Sequence, residues 1–175
     1  KFLWDGRVPV RRNAAHFLRL AGKVDHDNLA WLTVVTKDSD PVVREHAVAA
    51  LATVGLPVDQ VVPALFRALC DPASPVNDAA LEALEQLTRA QPEAIAELLI
   101  EALGDQRPFV VVTGRDLLMR IAAQSGPRLV EALLHPNAQV AEIAEATLAE
   151  LGSAVTTALI DALAARAWRR PLGGD

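Results

Sequence analysis

Asp38-Ser-Asp-Pro-Val-Val-Arg-Glu-His-Ala-Val-Ala-Ala-Leu-Ala-Thr-Val-Gly55 is the stretch that decides the fold. It reads as a turn followed by a helix. Asp38 and Asp40 are capping residues, Pro41 suits the first helical position, and Gly55 suits the end. Val43, Ala47, Ala50, Leu51 and Val54 fall on one stripe of a 3.6-residue helix.

The same stripe recurs along the chain. Val10, Val43, Val76, Val110 and Val140 are spaced by 33, 33, 34 and 30 residues. Four positions after each stand Ala14, Ala47, Ala80, Gly114 and Ala144, all small, as close helix contact requires. Eight positions on stand Leu18, Leu51, Leu84, Leu118 and Leu148, and eleven on stand Ala21, Val54, Leu87, Ile121 and Leu151. Gly22, Gly55 and Gly152 follow three of these. A second set of segments lies between them, among them Leu32 to Asp38, Leu65 to Asp71, Leu99 to Asp105 and Leu129 to His135. Breakers separate the two sets, at Gly55-Leu-Pro57, Asp71-Pro72, Gln91-Pro92, Gly126-Pro127 and His135-Pro136.

Each unit is therefore an inner and an outer helix. Inner helices are expected at about 8–22, 41–55, 74–89, 108–124 and 138–152, and outer helices at about 27–37, 58–70, 92–104, 126–135 and 153–169. A period near 33 with paired helices and no strands predicts an all-α fold, an α-solenoid of antiparallel helix pairs in a single array over residues 1–175. Lys1-Phe-Leu-Trp-Asp5 aligns with Val34 to Asp38, the last turn of an outer helix, so the chain is expected to be a segment of a longer one. Neither terminal unit has an evident polar cap, which raises end-to-end self-association as a further expectation.

Composition limits what such an array can do. The chain is 51% apolar but only 4% aromatic, so its core is built from Ala, Leu and Val. A net charge of −5 disfavours nucleic acid, whose phosphates want a basic face. Cys70 is the only cysteine, which rules out a disulfide within the chain and a thiolate zinc cluster, and fits the reducing cytoplasm. The sequence has no 18-residue apolar run to span a membrane.

The pattern Asp-x-Asp-Pro-x-Val-Arg-x-x-Ala-x-x-Ala-Leu-x-x-x-Gly at Asp38 to Gly55 resembles the second half of a HEAT repeat, of the bacterial HEAT-like kind also seen in phycobilin lyases. The resemblance implies a right-handed superhelix whose second helices line a concave face. It also implies a ladder in which an Asp and an Arg six residues later bond between neighbouring repeats. Asp5/Arg11 and Asp38/Arg44 match that spacing. Asp71/Asn77, Asp105/Val111 and His135/Ala141 depart from it, so the ladder is expected to fade after the second inner helix. Three functions come with the family: a protein- or peptide-binding scaffold, a nucleic-acid-binding or repair protein of the HEAT-like glycosylase type, and a chromophore lyase-like subunit. The glycosylase type cradles duplex with concave aromatics. Here Trp4, Trp31 and Trp168 lie in the outer set, Phe17 replaces a core alanine, and none falls on a concave column.

Candidate sites follow from the columns. Residues 1–55 carry a net charge of +2 through Arg7, Arg11, Arg12, Arg19 and Arg44 with lysines, either a patch for an acidic partner or ladder and solvated residues. Glu82 and Glu85 stand one turn apart, but no convergent group makes them an acid–base pair. His16 and His46, with Glu45, lack a local metal-ligand spacing. No catalytic residue, cofactor or metal is expected. The expected working surface is a concave partner-binding face of Arg12, Val48, Ala52, Leu81, Glu82, Val111, Arg115 and Met119, with exposed apolar residues and an adaptable methionine. The function that fits best is a non-catalytic scaffold module that binds a protein or peptide.

Overall fold

The computed structural model describes residues 2–21, 26–52, 57–156 and 160. Among them the chain forms nine α-helices and no strand, an all-α solenoid of helix pairs. The inner set is α1 (Val8–Ala21), α3 (Pro41–Ala52), α5 (Ser74–Ala90), α7 (Pro108–Arg120) and α9 (Ala138–Leu151). The outer set is α2 (His26–Val35), α4 (Val58–Ala68), α6 (Pro92–Ala102) and α8 (Ala122–Ala132). Short 3-10 turns cover Phe2–Trp4 and Gly152–Val155.

The helices gather into two compact units, Lys1–Ala90 and Gln91–Asp175. In the first, α1 packs on α3 and α3 on α5, with α2 and α4 behind them. Its core is the repeated stripe: Val43, Ala47, Ala50 and Leu51 on α3 and Val76, Ala80, Ala83 and Leu84 on α5 are all buried. Each fully buried Leu or Val is worth roughly 1.5–3 kcal/mol of transfer free energy, so the register of the stripe decides the packing. Asp40 starts α3 by accepting the N–H groups of Val42 (3.1 Å) and Val43 (3.2 Å), with Pro41 at the first helical position.

In the second unit, α6 packs on α7 and α8, and α8 on α9. Ile95, Leu99, Leu103, Leu117, Leu118 and Leu129 fill the core. Gly114 sits where α7 crosses α6: a Cβ there would lie 3.3 Å from the Ala102 Cβ and 3.3 Å from the Leu99 carbonyl oxygen.

Two expectations are corrected here. The break expected at Gly126-Pro127 is inside α8. The turn is made five residues earlier by Ile121 alone (φ −111°, ψ 40°), and the buried Ser125 hydroxyl donates to the Leu118 carbonyl (2.8 Å) at the end of α7. Phe17 is not a core residue, for its side chain is 68% exposed. The fifth outer helix, expected at 153–169, opens as the 3-10 turn, and most of its length lies outside the described residues. Gly22, Val54, Gly55, Trp168 and the arginines at 166, 169 and 170 also lie outside them. Gly152 ends α9 at φ +50°, a conformation that favours glycine.

Candidate functional site

Five turns lead into the five inner helices, and each places an acceptor at its first residue. The carboxylates of Asp5, Asp38 and Asp71 each accept the N–H two residues on at 2.9 Å, and Asp105 does so at 2.8 Å. His135 fills the same place through Nδ1, which accepts the Asn137 N–H at 3.1 Å. These are Asx-type turns, in which a short polar side chain replaces a backbone acceptor.

In the first unit these carboxylates are also rungs. Arg11 donates Nε to Asp38 Oδ2 (2.8 Å), Nη2 to Oδ1 (3.1 Å), and Nη1 to the Asp5 carbonyl (2.9 Å). Arg44 repeats the pattern one unit on, with Nε to Asp71 Oδ2 (2.8 Å), Nη2 to Oδ1 (2.7 Å) and Nη1 to the Asp38 carbonyl (2.8 Å). The rung therefore runs from an inner-helix arginine to the aspartate of the following turn. Asp71 is a full member, which the pairing of Asp71 with Asn77 in the sequence hides. The signal was present in the spacing of 33 from Asp38 to Asp71. Asn77 instead donates Nδ2 to the carbonyls of Ala68, Leu69 and Asp71, closing the end of α4. Asp105 is clasped by its own Arg107, and Gln139 donates Nε2 to the Leu103 carbonyl (2.8 Å).

Burial pushes the Asp38 and Asp71 carboxyls up, but the arginine forks and the turn N–H groups outweigh it and hold both below the usual carboxylate range. Asp71 in turn raises Arg44. With Arg7 on Asp5 and Arg12 on Asp40 (2.7 Å), four of the basic N-terminal residues are neutralised in place. The pairs of Arg7, Arg11 and Arg12 are already balanced in the net charge of residues 1–55, and Arg44, whose partner Asp71 lies beyond them, takes up one of the two excess positive charges.

In the first unit a shallow cleft of about 180 Å³ runs across α1, α3 and α5. Ala49, Ala52, Ala79 and Ala83 line it, with Arg19, Leu20, Glu82 and Gln86 around them. Gln86 donates Nε2 to Glu82 Oε1 (3.2 Å). Of the eight expected contact residues, Ala52 and Glu82 lie here. Val48 does not: it is fully buried in the core of α3, and its neighbour Ala49 takes the place in the cleft. One residue is about 100° around a helix, so the expected face was turned by one column at that point. Leu81 is half-buried, and Arg12 is engaged with Asp40. In the second unit Val111 and Met119 are half-buried, and Arg115 donates to Thr147 Oγ1 (3.2 Å) and pairs with Glu150.

His16 and His46 meet face to tilted face, with ring centroids 4.9 Å apart. His46 Nδ1 is buried without a hydrogen-bond partner, and burial lowers the His46 pKa, with Arg19 and His16 adding to the effect and Glu45 opposing it. Among the described residues no three His, Cys, Asp or Glu side chains group as metal ligands, and no helix is long and apolar enough to cross a membrane.

A search of curated proteins finds no match. Among solved structures, two engineered proteins are similar. One is 20% identical, covering 93% of this chain and 83% of its own, with a TM-score of 0.48; the other is 22% identical, covering 99% and 89%, also at 0.48. A designed armadillo repeat protein is 18% identical over 93% of this chain and 84% of its own, with a TM-score of 0.45. The family profile of HEAT repeats matches residues 2–84 and 29–115, more than half of the sequence. Those matches fall on the helix pairs and rungs described above, and the chain belongs to the HEAT repeat family.

Proposed function

We propose that this chain is a non-catalytic binding module that receives a peptide segment of a partner protein in the cleft of α1, α3 and α5. The observation that carries the reading is the alanine lining, Ala49, Ala52, Ala79 and Ala83. Side chains this small let a second backbone come close, and Arg19, Glu82 and Gln86 offer polar groups at its edges. At about 180 Å³ the cleft is below the usual size of a cofactor or small-molecule site. Its mixed charge does not suit a polyanion. In the second unit we assign partner contact to Val111, Arg115 and Met119, each partly exposed. A lone cysteine fits work in the reducing cytoplasm.

Selection from a displayed peptide library tests the reading. Enriched peptides should bind the parent and lose at least about tenfold in affinity for Ala52→Trp, which fills the cleft, a loss of about 1.4 kcal/mol. A second variant, Glu82→Lys, should change which peptides are selected. Peptides that bind Ala52→Trp as well as the parent, or a library that yields none, would overturn the proposal.

A further inference from the structure

The His16–His46 pair stands beside the cleft, between α1 and α3. Arg19 follows His16 by three residues on α1, Ala49 follows His46 by three on α3, and both line the cleft. Residues three apart are neighbours on a helix surface, so the two rings sit one turn further along the same side of both helices. Their centroids are 4.9 Å apart, and His46 Nδ1 is buried with no hydrogen-bond partner. A buried polar atom left unpaired is a standing cost to the fold. Among the described residues no third metal ligand joins the pair. Protons and anions are the ligands that two imidazoles then suit.

Arg19 differs from the four arginines of the turns and rungs. Arg7, Arg11, Arg12 and Arg44 each hold an aspartate within 3 Å, whereas Arg19 is exposed and forms no ion pair among the described residues. It is near enough to act on His46. Burial lowers the His46 pKa, the charges of Arg19 and His16 on α1 add to that, and Glu45 on α3 itself opposes it. On the far wall α5 brings Glu82, whose Oε1 accepts from Gln86 Nε2, while α2 and α4 pack behind α3. The cleft is therefore polarised, cationic and protonatable toward α1 and acidic toward α5.

We infer that Arg19, His16 and His46 form a subsite at the α1 edge of the cleft for an Asp or Glu side chain of the bound peptide. The inference rests on the peptide reading of the cleft. Arg19 supplies a planar fork for the carboxylate. The negative charge favours the protonated form of the imidazole pair beside it, so the complex takes a proton from solvent as it forms. An acidic residue is thus held more tightly as the pH falls from about 7.5 to about 6. A neutral residue in the same place gains nothing from the change.

Two displayed peptide libraries test this, one complete and one without Asp and Glu, each selected on the whole chain. Peptides from the complete library should carry an acidic residue whose replacement by Asn or Gln weakens binding about tenfold. Arg19→Gln should cost the acidic peptide about as much and its neutral version little. Affinity for the acidic peptide should rise at least about threefold between about pH 7.5 and about pH 6, and His46→Gln should remove the rise. His16→Gln, at an exposed position that folding does not depend on, should remove it too. Peptides free of Asp and Glu that bind as tightly, and that lose affinity for Ala52→Trp, would overturn this inference and leave the cleft reading standing. So would a rise that survives both histidine substitutions. A complete library that yields no binder would overturn both.

Discussion

Arg44 ties two turns of chain together, and its loss should be felt accordingly. Arg44→Ala leaves the Asp71 carboxylate, 12% exposed, without its fork and strips a donor from the Asp38 and Ser39 carbonyls. Urea denaturation should show a loss of about 2–3 kcal/mol, the range for hydrogen bonds to charged groups plus an unsatisfied partner. Arg44→Lys should recover only part, because a lysine has no planar fork. Arg12→Ala, which removes an ion pair 47% exposed on its arginine side, should cost far less. The spacing of Asp38 and Arg44 made the ladder legible, but not its direction, which needs the position of the next turn. The meeting of His16 with His46 was not legible as a contact, since two histidines 30 residues apart carry no local signature. It has a consequence in acid. The folded state lowers the His46 pKa from 6.5, so the unfolded chain takes the proton more readily. Stability is therefore fully present above pH 6.5 and falls as pH drops through that value toward the folded pKa. Arg19 and His16 strengthen the effect and Glu45 weakens it. His46→Gln should flatten the melting temperature between pH 7.5 and 5.5. The contributions of Asp38 and Asp71 disappear only at lower pH, as the solution falls below the ordinary carboxylate value of 3.8.

Among the helices, α7 shows where propensity gives way to packing. Val110-Val-Val-Thr-Gly114 is a poor helix former, yet the helix runs from Pro108 to Arg120. Val110, Thr113, Gly114, Leu117 and Leu118 are all buried, and the missing side chain at Gly114 is what lets α7 approach α6. Gly114→Val should force the two helices apart and cost about 1–3 kcal/mol, read as a lower thermal midpoint by circular dichroism. Gly6→Ala, with nothing within 4 Å of the added carbon, should be tolerated. Element boundaries were legible wherever the chain marks them chemically, as Asp40-Pro41 does for α3 and Gly152 for α9. They were misread between α7 and α8 because that turn contains neither Gly nor Pro. Its closing bond comes from Ser125, four residues beyond the bend, and Gly126 is used for packing against Val155.

For the whole molecule, the architecture was written in the period of the stripe, because five matching columns leave few ways to bury them. The period fixes which residues go inside but not the rotation of each helix about its axis. Val48 and Ala49 therefore exchanged roles between the expected face and the observed cleft. Charge totals are silent on placement for a related reason: they do not show that Arg7, Arg11, Arg12 and Arg44 each have an aspartate within 3 Å. The ladder also bears on how the chain is made. Both rungs join residues only 27 apart, and neither needs any residue beyond Asp71. Such short-range closure favours rapid folding. On the ribosome, the first unit is positioned to acquire its rungs in order, Arg11 to Asp38 and then Arg44 to Asp71, while the last helices are still being translated.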